Sequence, residues 1–177
     1  MIKNFTIALM AAVATASPAA DKMGNFPDAP PFTTDMYSGY LPVTETKSLH
    51  YVFAESMSDP TNDPVVIWFN GGPGCSSMLA FMQENGPLAV DDGEAFIKTN
   101  PHPWNERANM LWIESPAGVG FSLAGTENDL KTNDMVQSQD ALAALKQWFG
   151  KFPEYLPNEL FVSGESYGGI YVPYLTW

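Results

Sequence analysis

The sequence is poor in basic residues, in histidine and in cysteine. Its 177 residues include eight lysines and arginines against twenty aspartates and glutamates, with two histidines, one cysteine and a formal net charge of −12. Because a chain this acidic is repelled by phosphate groups, the charge argues against binding to nucleic acid or to an anionic membrane. We expect neither partner, and we predict no cofactor and no metal site.

The sequence also lacks an apolar run long enough to cross a bilayer, which takes roughly 20 residues. The strongest candidate follows Lys3, covers residues 5–16 and ends in Ala14 and Ala16. A positive start, a short apolar stretch and small residues at the cleavage point are typical of a secretory signal peptide. We predict a signal peptide at residues 1–16 and a mature chain in the secretory pathway, either extracellular or lysosomal. Secretion permits disulfides, so the lone Cys75 is expected to need a partner elsewhere.

Short apolar segments between turn-rich loops predict the strands. Residues 38–43 and 49–54 are typical of two strands of a meander, the second with partial alternation. Residues 65–69, 110–113 and 160–162 are continuous apolar runs, which suit strands buried on both faces. We expect these three runs to be central strands of a sheet.

One helix is predicted over residues 134–149, between the last two of these runs. Thr132 or Asn133 can cap its start, and Gly150 and Pro153 follow its end. Its buried face is predicted to consist of Leu142, Leu145, Trp148 and Phe149. A strand, a helix and a further apolar strand form a βαβ crossover, which implies a parallel sheet and an α/β fold.

A candidate nucleophile lies in residues 164–168 (GESYG), which match the pattern G-x-S-x-G. The motif directly follows the run 160–162 and precedes a helix-compatible segment at residues 170–177, which is the context it requires. A serine at a sharp strand-to-helix turn has a strained backbone, and glycines on both sides let the flanking elements pass closely. Ser166 is therefore the candidate nucleophile, with a serine turn without chemistry as the alternative. The backbone N–H of Tyr167 would be one donor to the oxyanion.

A glycine-rich loop, residues 70–77 (NGGPGCSS), directly follows the run 65–69. A loop of this kind after an earlier central strand can supply the second oxyanion donor. It lacks the Gly-Lys-Ser/Thr ending of a phosphate-binding loop, and its proline removes one donor. A purely structural turn is the remaining alternative.

Three segments together resemble the serine carboxypeptidases, the family of cathepsin A and carboxypeptidase Y. They are residues 68–77 (WFNGGPGCSS), Asn105 with residues 111–122 (LWIESPAGVGFS), and residues 164–169 (GESYGG). The match runs from about residue 31 to the end, in the family's order and approximate spacing. The resemblance implies an α/β-hydrolase fold with a mostly parallel central sheet. Residues 17–177 would be the N-terminal part of that peptidase domain, truncated after the nucleophile turn.

The resemblance implies a serine-type carboxypeptidase, which releases C-terminal residues from peptides and proteins through an acyl-enzyme on Ser166. The backbone N–H groups of Gly72 and Tyr167 form the implied oxyanion hole, and Trp68 lines the substrate pocket. Cys75 is implied to form a disulfide with a downstream cysteine, which these residues lack.

Four further residues are implied to recognise the substrate's terminal carboxylate. Asn70, Gly71 and Glu165 would bind it, with Glu84 as the hydrogen-bonded partner of Glu165. Two carboxyl groups held close together share a proton, which raises the pair's apparent pKa and lets it donate to an anionic C-terminus. Near neutrality the pair would ionise and repel the substrate, so we predict an acidic pH preference.

The other members of a catalytic triad are not found in the sequence. In this fold the order is Ser, then Asp or Glu, then His, yet the eleven residues after Ser166 include no Asp, Glu or His. His50 and His102 are expected to be surface or packing residues. We therefore predict an incomplete fragment that is inactive alone, and whose exposed apolar strand edge favours association.

Two other functions stay open at this point. Plant relatives of the family use the same serine for acyl transfer, and a chain without a triad could be a non-catalytic secreted or lysosomal protein that binds or protects a partner. An ordinary lipase or esterase fits less well, because its oxyanion loop reads His-Gly-Gly-Gly whereas this loop begins with Asn70. A homodimer or a protein partner is compatible with the full-length form.

Overall fold

The structure, a computed structural model, describes residues 18–91, 93 and 95–177. The signal peptide predicted at residues 1–16 lies outside the described residues. Among the helices that are described, none combines the length and the apolar character needed to cross a membrane.

A mixed β-sheet is the centre of the fold. Its strands, with those of a small separate ribbon, are β1 (Met36–Pro42), β2 (Lys47–Ala54), β3 (Val65–Phe69), β4 (Leu88–Ala89), β5 (Lys98–Thr99), β6 (Asn109–Ile113), β7 (Leu123–Ala124) and β8 (Leu160–Gly164). The main sheet has the order β1-β2-β6-β3-β8, β7 pairs with β2, and β4 and β5 form the ribbon.

Helices and single turns connect the strands. The α-helices are α1 (Pro18–Asp21), α2 (Asp134–Lys151) and α3 (Gly168–Thr176); a π-helix covers Ala80–Glu84, and 3₁₀ turns cover Trp104–Glu106, Glu127–Leu130 and Pro153–Tyr155.

The two halves of the sheet differ in strand direction. β1, β2 and β6 pair antiparallel, as the predicted meander requires. β6, β3 and β8 run parallel, with β3 in the middle. The connection from β6 to β8 contains α2 and passes over β3, so the predicted βαβ crossover and the α/β class are confirmed. This strand and helix arrangement is that of an α/β-hydrolase fold.

Helix α2 begins where the sequence indicates and ends slightly later. Asn133 is its cap, since its side-chain Oδ1 accepts a hydrogen bond from the backbone N–H of Val136 at 2.9 Å. The helix continues to Lys151 rather than 149. Pro153 then stops it, because the residue before a proline is disfavoured in the helical conformation.

The buried face of α2 is rotated relative to the prediction. Ala144, Leu145 and Trp148 pack into the core between this helix and the sheet, whereas Leu142 is 39% exposed. The predicted burial of Leu142 is therefore wrong. The sequence reading favoured large side chains, but small alanine side chains let a helix lie closer to the sheet.

The opposite face of the sheet is covered by the π-helix (Ala80–Glu84). Phe81 packs edge-on against Trp112 with a ring-centroid distance of 5.2 Å. The backbone N–H of Asn85 reaches back to the carbonyl oxygen of Ala80 at 2.9 Å, which is the wider i→i+5 turn of a π-helix. The last residue of that turn is Glu84.

Burial on both faces was predicted for three apolar runs. The prediction is confirmed for β6, all of whose residues are buried, and for β3, of which only Val66 is partly exposed. It is wrong for β8, where Leu160 is 46% and Phe161 52% exposed. In the part of the chain that the structure describes, β8 pairs only with β3 and forms an edge of the sheet. An exposed apolar strand edge, as predicted, is therefore present.

Candidate active site

Two loops meet at the carboxyl ends of the neighbouring strands β3 and β8. The strands are parallel and their last residues, Phe69 and Gly164, are partners in the register. The carbonyl oxygen of Phe69 accepts a hydrogen bond from the backbone N–H of Glu165 at 3.2 Å. The chain segments that begin at Asn70 and at Glu165 therefore start side by side, at the edge of the sheet where ligands of α/β proteins bind.

Ser166 stands at the tip of a sharp turn between β8 and α3. Its φ is 53°, a left-handed conformation that a non-glycine residue rarely adopts, and its side chain is exposed. The N–H of Gly168 closes the turn on the carbonyl oxygen of Glu165 at 2.7 Å. A Cβ atom at Gly164 would lie 2.5 Å from the carbonyl oxygen of Phe69, so only glycine fits there. The turn has the geometry of a nucleophile elbow.

The glycine-rich loop, residues 70–77, packs against this elbow. A Cβ atom on Gly71 would meet the backbone N of Tyr167 and lie 2.9 Å from the Cβ of Ser166. Gly72 has a φ of +110°. In the described part of the chain, the backbone N–H groups of Gly72 and Tyr167 donate no hydrogen bond, so both remain available to a ligand. Their assignment to the oxyanion hole stays a prediction.

The four residues predicted to bind a carboxylate lie together beside Ser166. The backbone N–H of Gly71 donates to Oε1 of Glu165 at 3.0 Å. The side-chain amide of Asn70 lies 3.5 Å from Oε1 of Glu165 and 3.5 Å from Oε1 of Glu84. Among the described contacts the two glutamates share Asn70 and make no direct hydrogen bond, whereas the family resemblance implied one. Their role in binding a substrate stays a prediction.

The electrostatics of this cluster favour a proton on Glu84. Burial, and then the negative charge of Glu165, raise the pKa of Glu84 above its ordinary value, against the opposing effect of the hydrogen bond from Asn70. A protonated carboxyl group can donate a hydrogen bond to an anion, which an ionised one cannot. The cluster therefore gains a donor as the pH falls.

Trp68 has a function that the sequence did not indicate. Its indole Nε1–H donates to the side-chain Oδ1 of Asn70 at 2.9 Å, and its side chain is buried. Since the Oδ1 of Asn70 is occupied in this way, its NH₂ group is directed to the two glutamates. Trp68 thus orients the asparagine, and its predicted contact with a substrate stays a prediction.

The glycine-rich loop is fixed by one hydrogen bond between its two ends and by hydrogen bonds to distant parts of the chain. The backbone N–H of Asn70 donates to the hydroxyl of Ser77 at 3.1 Å, and that hydroxyl donates to the carbonyl oxygen of Ile113 at 2.7 Å. The backbone N–H of Gly74 lies 3.3 Å from the hydroxyl oxygen of Tyr171 on α3. The sequence carries no spacing signal for these contacts.

Neither histidine of the chain contacts Ser166 in the described structure. His50 is buried and lies between Ser38 and Glu114, at 2.9 Å from each. His102 is exposed, and its backbone N–H is bonded to the side chain of Asn100. The expectation of surface or packing residues fits both side chains, but the buried carboxylate partner of His50 was missed.

Cys75 is exposed on the glycine-rich loop and unpaired, and its pairing with a downstream cysteine stays a prediction. Among the described residues, no group of three or more His, Cys, Asp or Glu side chains could hold a metal ion.

Comparison with known proteins agrees with this geometry. The sequence profile of a family described as serine carboxypeptidase matches residues 27–177. The chain is 50% identical over 139 residues to the lysosomal protective protein of Mus musculus, covering 78% of this chain and 29% of that protein. It is 43% identical over 185 residues to serine carboxypeptidase-like 32 of Arabidopsis thaliana, covering 98% of this chain and 40% of that protein.

A solved structure has the same fold. Kex1, a prohormone-processing carboxypeptidase from Saccharomyces cerevisiae, superposes with a TM-score of 0.75 at 25% identity, covering 91% of this chain and 38% of Kex1. The chain therefore spans between about three and four tenths of the length of these relatives. Because the family profile extends over most of the sequence and includes both site loops, this chain belongs to the serine carboxypeptidase family.

Proposed function

We propose that the whole protein is a serine carboxypeptidase that removes C-terminal residues from peptides, and that this chain supplies its nucleophile and its carboxylate-binding cluster. The observation that carries the proposal is the position of Glu165. Its carboxylate is bonded to Gly71 and Asn70, and the next residue is the exposed Ser166 in its left-handed turn. A terminal carboxylate bound at this cluster would place the last peptide bond of a substrate near the serine.

The proposed reaction begins with attack of the Ser166 Oγ on the carbonyl carbon of the last peptide bond. A base takes the hydroxyl proton and passes it to the leaving amine, and water then releases the acyl group. The N–H groups of Gly72 and Tyr167 would stabilise the negative charge on the carbonyl oxygen. We propose that the base and its acidic partner belong to a part of the protein outside these residues, because His50 is engaged with Glu114 and His102 lies apart.

We also propose that binding is stronger in acid. The raised pKa of Glu84 means that the cluster keeps a proton to a higher pH than an isolated glutamate would. A proton on the cluster can be donated to the substrate's carboxylate, and its loss leaves like charges facing each other. The KM for a peptide with a free C-terminus should therefore rise as the pH rises.

The first test is labelling by a fluorophosphonate probe, followed by mapping of the labelled peptide. We expect labelling at Ser166 in a chain extended through the downstream reading frame, weak or no labelling of the 177-residue chain, and none in Ser166→Ala. Ser38→Ala is the matched control, because Ser38 is the serine whose hydroxyl contacts His50. Labelling of Ser38 instead of Ser166 would contradict the assignment of the nucleophile.

The second test concerns the carboxylate cluster and uses the extended chain. Glu84 is the group with the raised pKa, and Glu84→Gln replaces its carboxyl group with an amide that donates hydrogen bonds at every pH. We expect the variant to lose the rise of KM with pH for a free C-terminal peptide, while an amidated peptide stays a poor substrate for both enzymes. An unchanged pH dependence of KM would refute the role of the cluster.

The cellular location follows as part of the same proposal. We propose the secretory pathway or the lysosome, which is supported by the likeness to a relative named as a lysosomal protein. Expression with a C-terminal fluorescent tag should show the protein in that pathway, and a cytosolic distribution would contradict the proposal.

A further inference from the structure

A buried carboxylate lies directly beneath the glycine-rich loop and is not part of the proposed chemistry. Glu114 follows the last residue of β6 and has no exposed surface. Its Oε1 accepts a hydrogen bond from the hydroxyl of Ser76. Its Oε2 accepts from Nδ1 of His50 at 2.9 Å and from the backbone N–H of Phe121 at 2.8 Å. Three separate segments of the chain therefore converge on one side chain.

These donors keep Glu114 ionised in the interior. Burial opposes its ionisation, but the hydrogen bonds from His50, Ser76 and Phe121 outweigh burial and hold the pKa of Glu114 below its ordinary value. Because an ionised carboxylate only accepts hydrogen bonds, the Nδ1 atom of His50 must carry a proton. The other ring nitrogen, Nε2, then faces the hydroxyl of Ser38 at 2.9 Å.

The space around the carboxylate is shaped to hold it in one position. A Cβ atom at Gly120 would overlap the carboxyl group of Glu114, and Gly120 has a φ of +54° that favours glycine. A side chain at position 120 would therefore displace the carboxylate from its three donors.

Ser76 connects this carboxylate to the loop that carries the proposed oxyanion donor. The hydroxyl of Ser76 donates to Glu114 and accepts the backbone N–H of Met78 at 3.1 Å. The next residue, Ser77, bonds to the backbone N–H of Asn70 at 3.1 Å. The last two residues of the loop are thus bonded to Glu114 and to Ile113, the last residue of β6, and its first residue is bonded to its last.

We propose that Glu114, oriented by His50, is a positioning residue that sets the place of the glycine-rich loop and with it the Gly72 N–H and the Asn70 amide. It acts through Ser76 and touches neither the substrate nor Ser166. The inference rests on the proposed function for its catalytic consequence, while its structural part can be measured without any activity.

The decisive variant is Glu114→Gln, which keeps the shape of the side chain but only one of its two acceptor oxygens. Its single carbonyl oxygen cannot serve the donors on both sides, and its NH₂ group would face a donor. We expect amide hydrogen exchange to become about tenfold faster at Met78, at Asn70 and at Cys75, whose N–H donates to the carbonyl oxygen of Gly71 at 3.0 Å. A tenfold change corresponds to one buried hydrogen bond of typical strength. Amides in the middle of α2 should keep their protection.

The chain offers a matched control in Asp63. This carboxylate also accepts three hydrogen bonds, from the hydroxyls of Ser56 and Ser58 and from the backbone N–H of Asp59, but it has no contact with the glycine-rich loop. Asp63→Asn should leave exchange at Met78 and Asn70 unchanged. Equal exchange of the loop in Glu114→Gln and Asp63→Asn would overturn the inference.

Two further measurements make the result independent of folding and of activity. If Glu114→Gln does not fold, Ser76→Ala removes the link to Glu114, and exchange at Asn70, whose N–H is bonded to Ser77, must still become faster. Met78 is not the readout for this variant, because Ser76 is itself the acceptor of the Met78 N–H. The chain has two histidines, so ¹⁵N spectra give His50 beside the exposed His102 as an internal reference. We expect the Nδ1–H form of His50 in the wild type, and its absence would contradict the arrangement.

Labelling kinetics of the extended chain connect the loop to catalysis. We expect Glu114→Gln to lower the rate constant for inactivation by a fluorophosphonate about tenfold or more, with little change in probe binding, since misplaced oxyanion donors act on the transition state. An unchanged rate constant would overturn the catalytic part. Absence of Ser166 labelling in the wild type, with a protected loop, would contradict the proposed function and leave the positioning of the loop supported.

Discussion

Gly71 lies where the two loops of the site pack against each other, and Gly71→Ala tests whether they pack as described. A Cβ atom at this position would meet the backbone N of Tyr167, and would lie 2.7 Å from the carbonyl oxygen of Glu165 and 2.9 Å from the Cβ of Ser166. Two of these three atoms belong to the backbone and cannot rotate away. The elbow or the glycine-rich loop must therefore move.

The loss of folding stability expected for Gly71→Ala comes from this overlap alone. Gly71 is not among the residues with positive φ, so alanine is not penalised by its own backbone conformation. Forcing one extra methyl group into a filled site costs about 1–3 kcal/mol. In a protein of this size each kcal/mol lowers the Tm by about 2–4 °C, so we expect a fall of about 2–12 °C. A loop displaced by about 1 Å should also slow fluorophosphonate labelling of Ser166 in the extended chain about 100-fold.

The matched control is Gly169→Ala, three residues after the nucleophile in the same motif. A Cβ atom at Gly169 would have no neighbour within 4 Å, and the residue lies in α3. Alanine in place of glycine inside a helix stabilises by about 0.5–1 kcal/mol. In thermal unfolding followed by circular dichroism, the Tm should therefore fall for Gly71→Ala and rise for Gly169→Ala. If Gly71→Ala is as stable as Gly169→Ala, the packing argument is wrong.

Two further predictions concern the carboxylate cluster. Burial and the charge of Glu165 raise the pKa of Glu84, so the folded state binds this proton more tightly than the unfolded chain does. The wild type should therefore lose stability as the pH rises above 4.5, which is the ordinary pKa of a glutamate. Glu84→Gln should match the wild type near pH 4 and be more stable near pH 7 in urea unfolding; the same difference at both pH values would refute this. Trp68→Phe removes the donor that orients the Asn70 amide, and leaving that buried oxygen unpaired should cost about 1–3 kcal/mol in the same assay. No loss of stability would show that Asn70 holds its orientation without the indole.

The parts of the site that the sequence predicted are those with a local cause. A serine between two glycines, after an apolar run and before a helical segment, has few ways to fold, and Ser166 indeed adopts a φ of 53°. The glycine-rich loop was predicted for a similar reason, because it directly follows β3. In each case the strand, the turn and the glycines are neighbours in the chain.

The parts that were missed depend on contacts between distant segments. His50 and Glu114 are 64 residues apart, and Ser76 and Glu114 are 38 apart. Nothing in the spacing of these residues shows that they share one buried site, so His50 was expected only to be a surface or packing residue. Leu142 was misplaced for a related reason: the buried face of α2 depends on how closely the helix approaches the sheet.

The assembly of the site therefore depends on the register of one parallel strand pair. Glu165 and Gly71 are 94 residues apart, and they meet because β3 and β8 end at the same level, with Phe69 opposite Gly164. A shift of the pairing by one residue would move every side chain of β8 to the other face of the sheet. It would also carry Glu165 away from Gly71 and Asn70, since one residue of a strand spans about 3.3 Å. Two loops with individually clear motifs thus become one site because the pairing of β3 with β8 brings them to the same level.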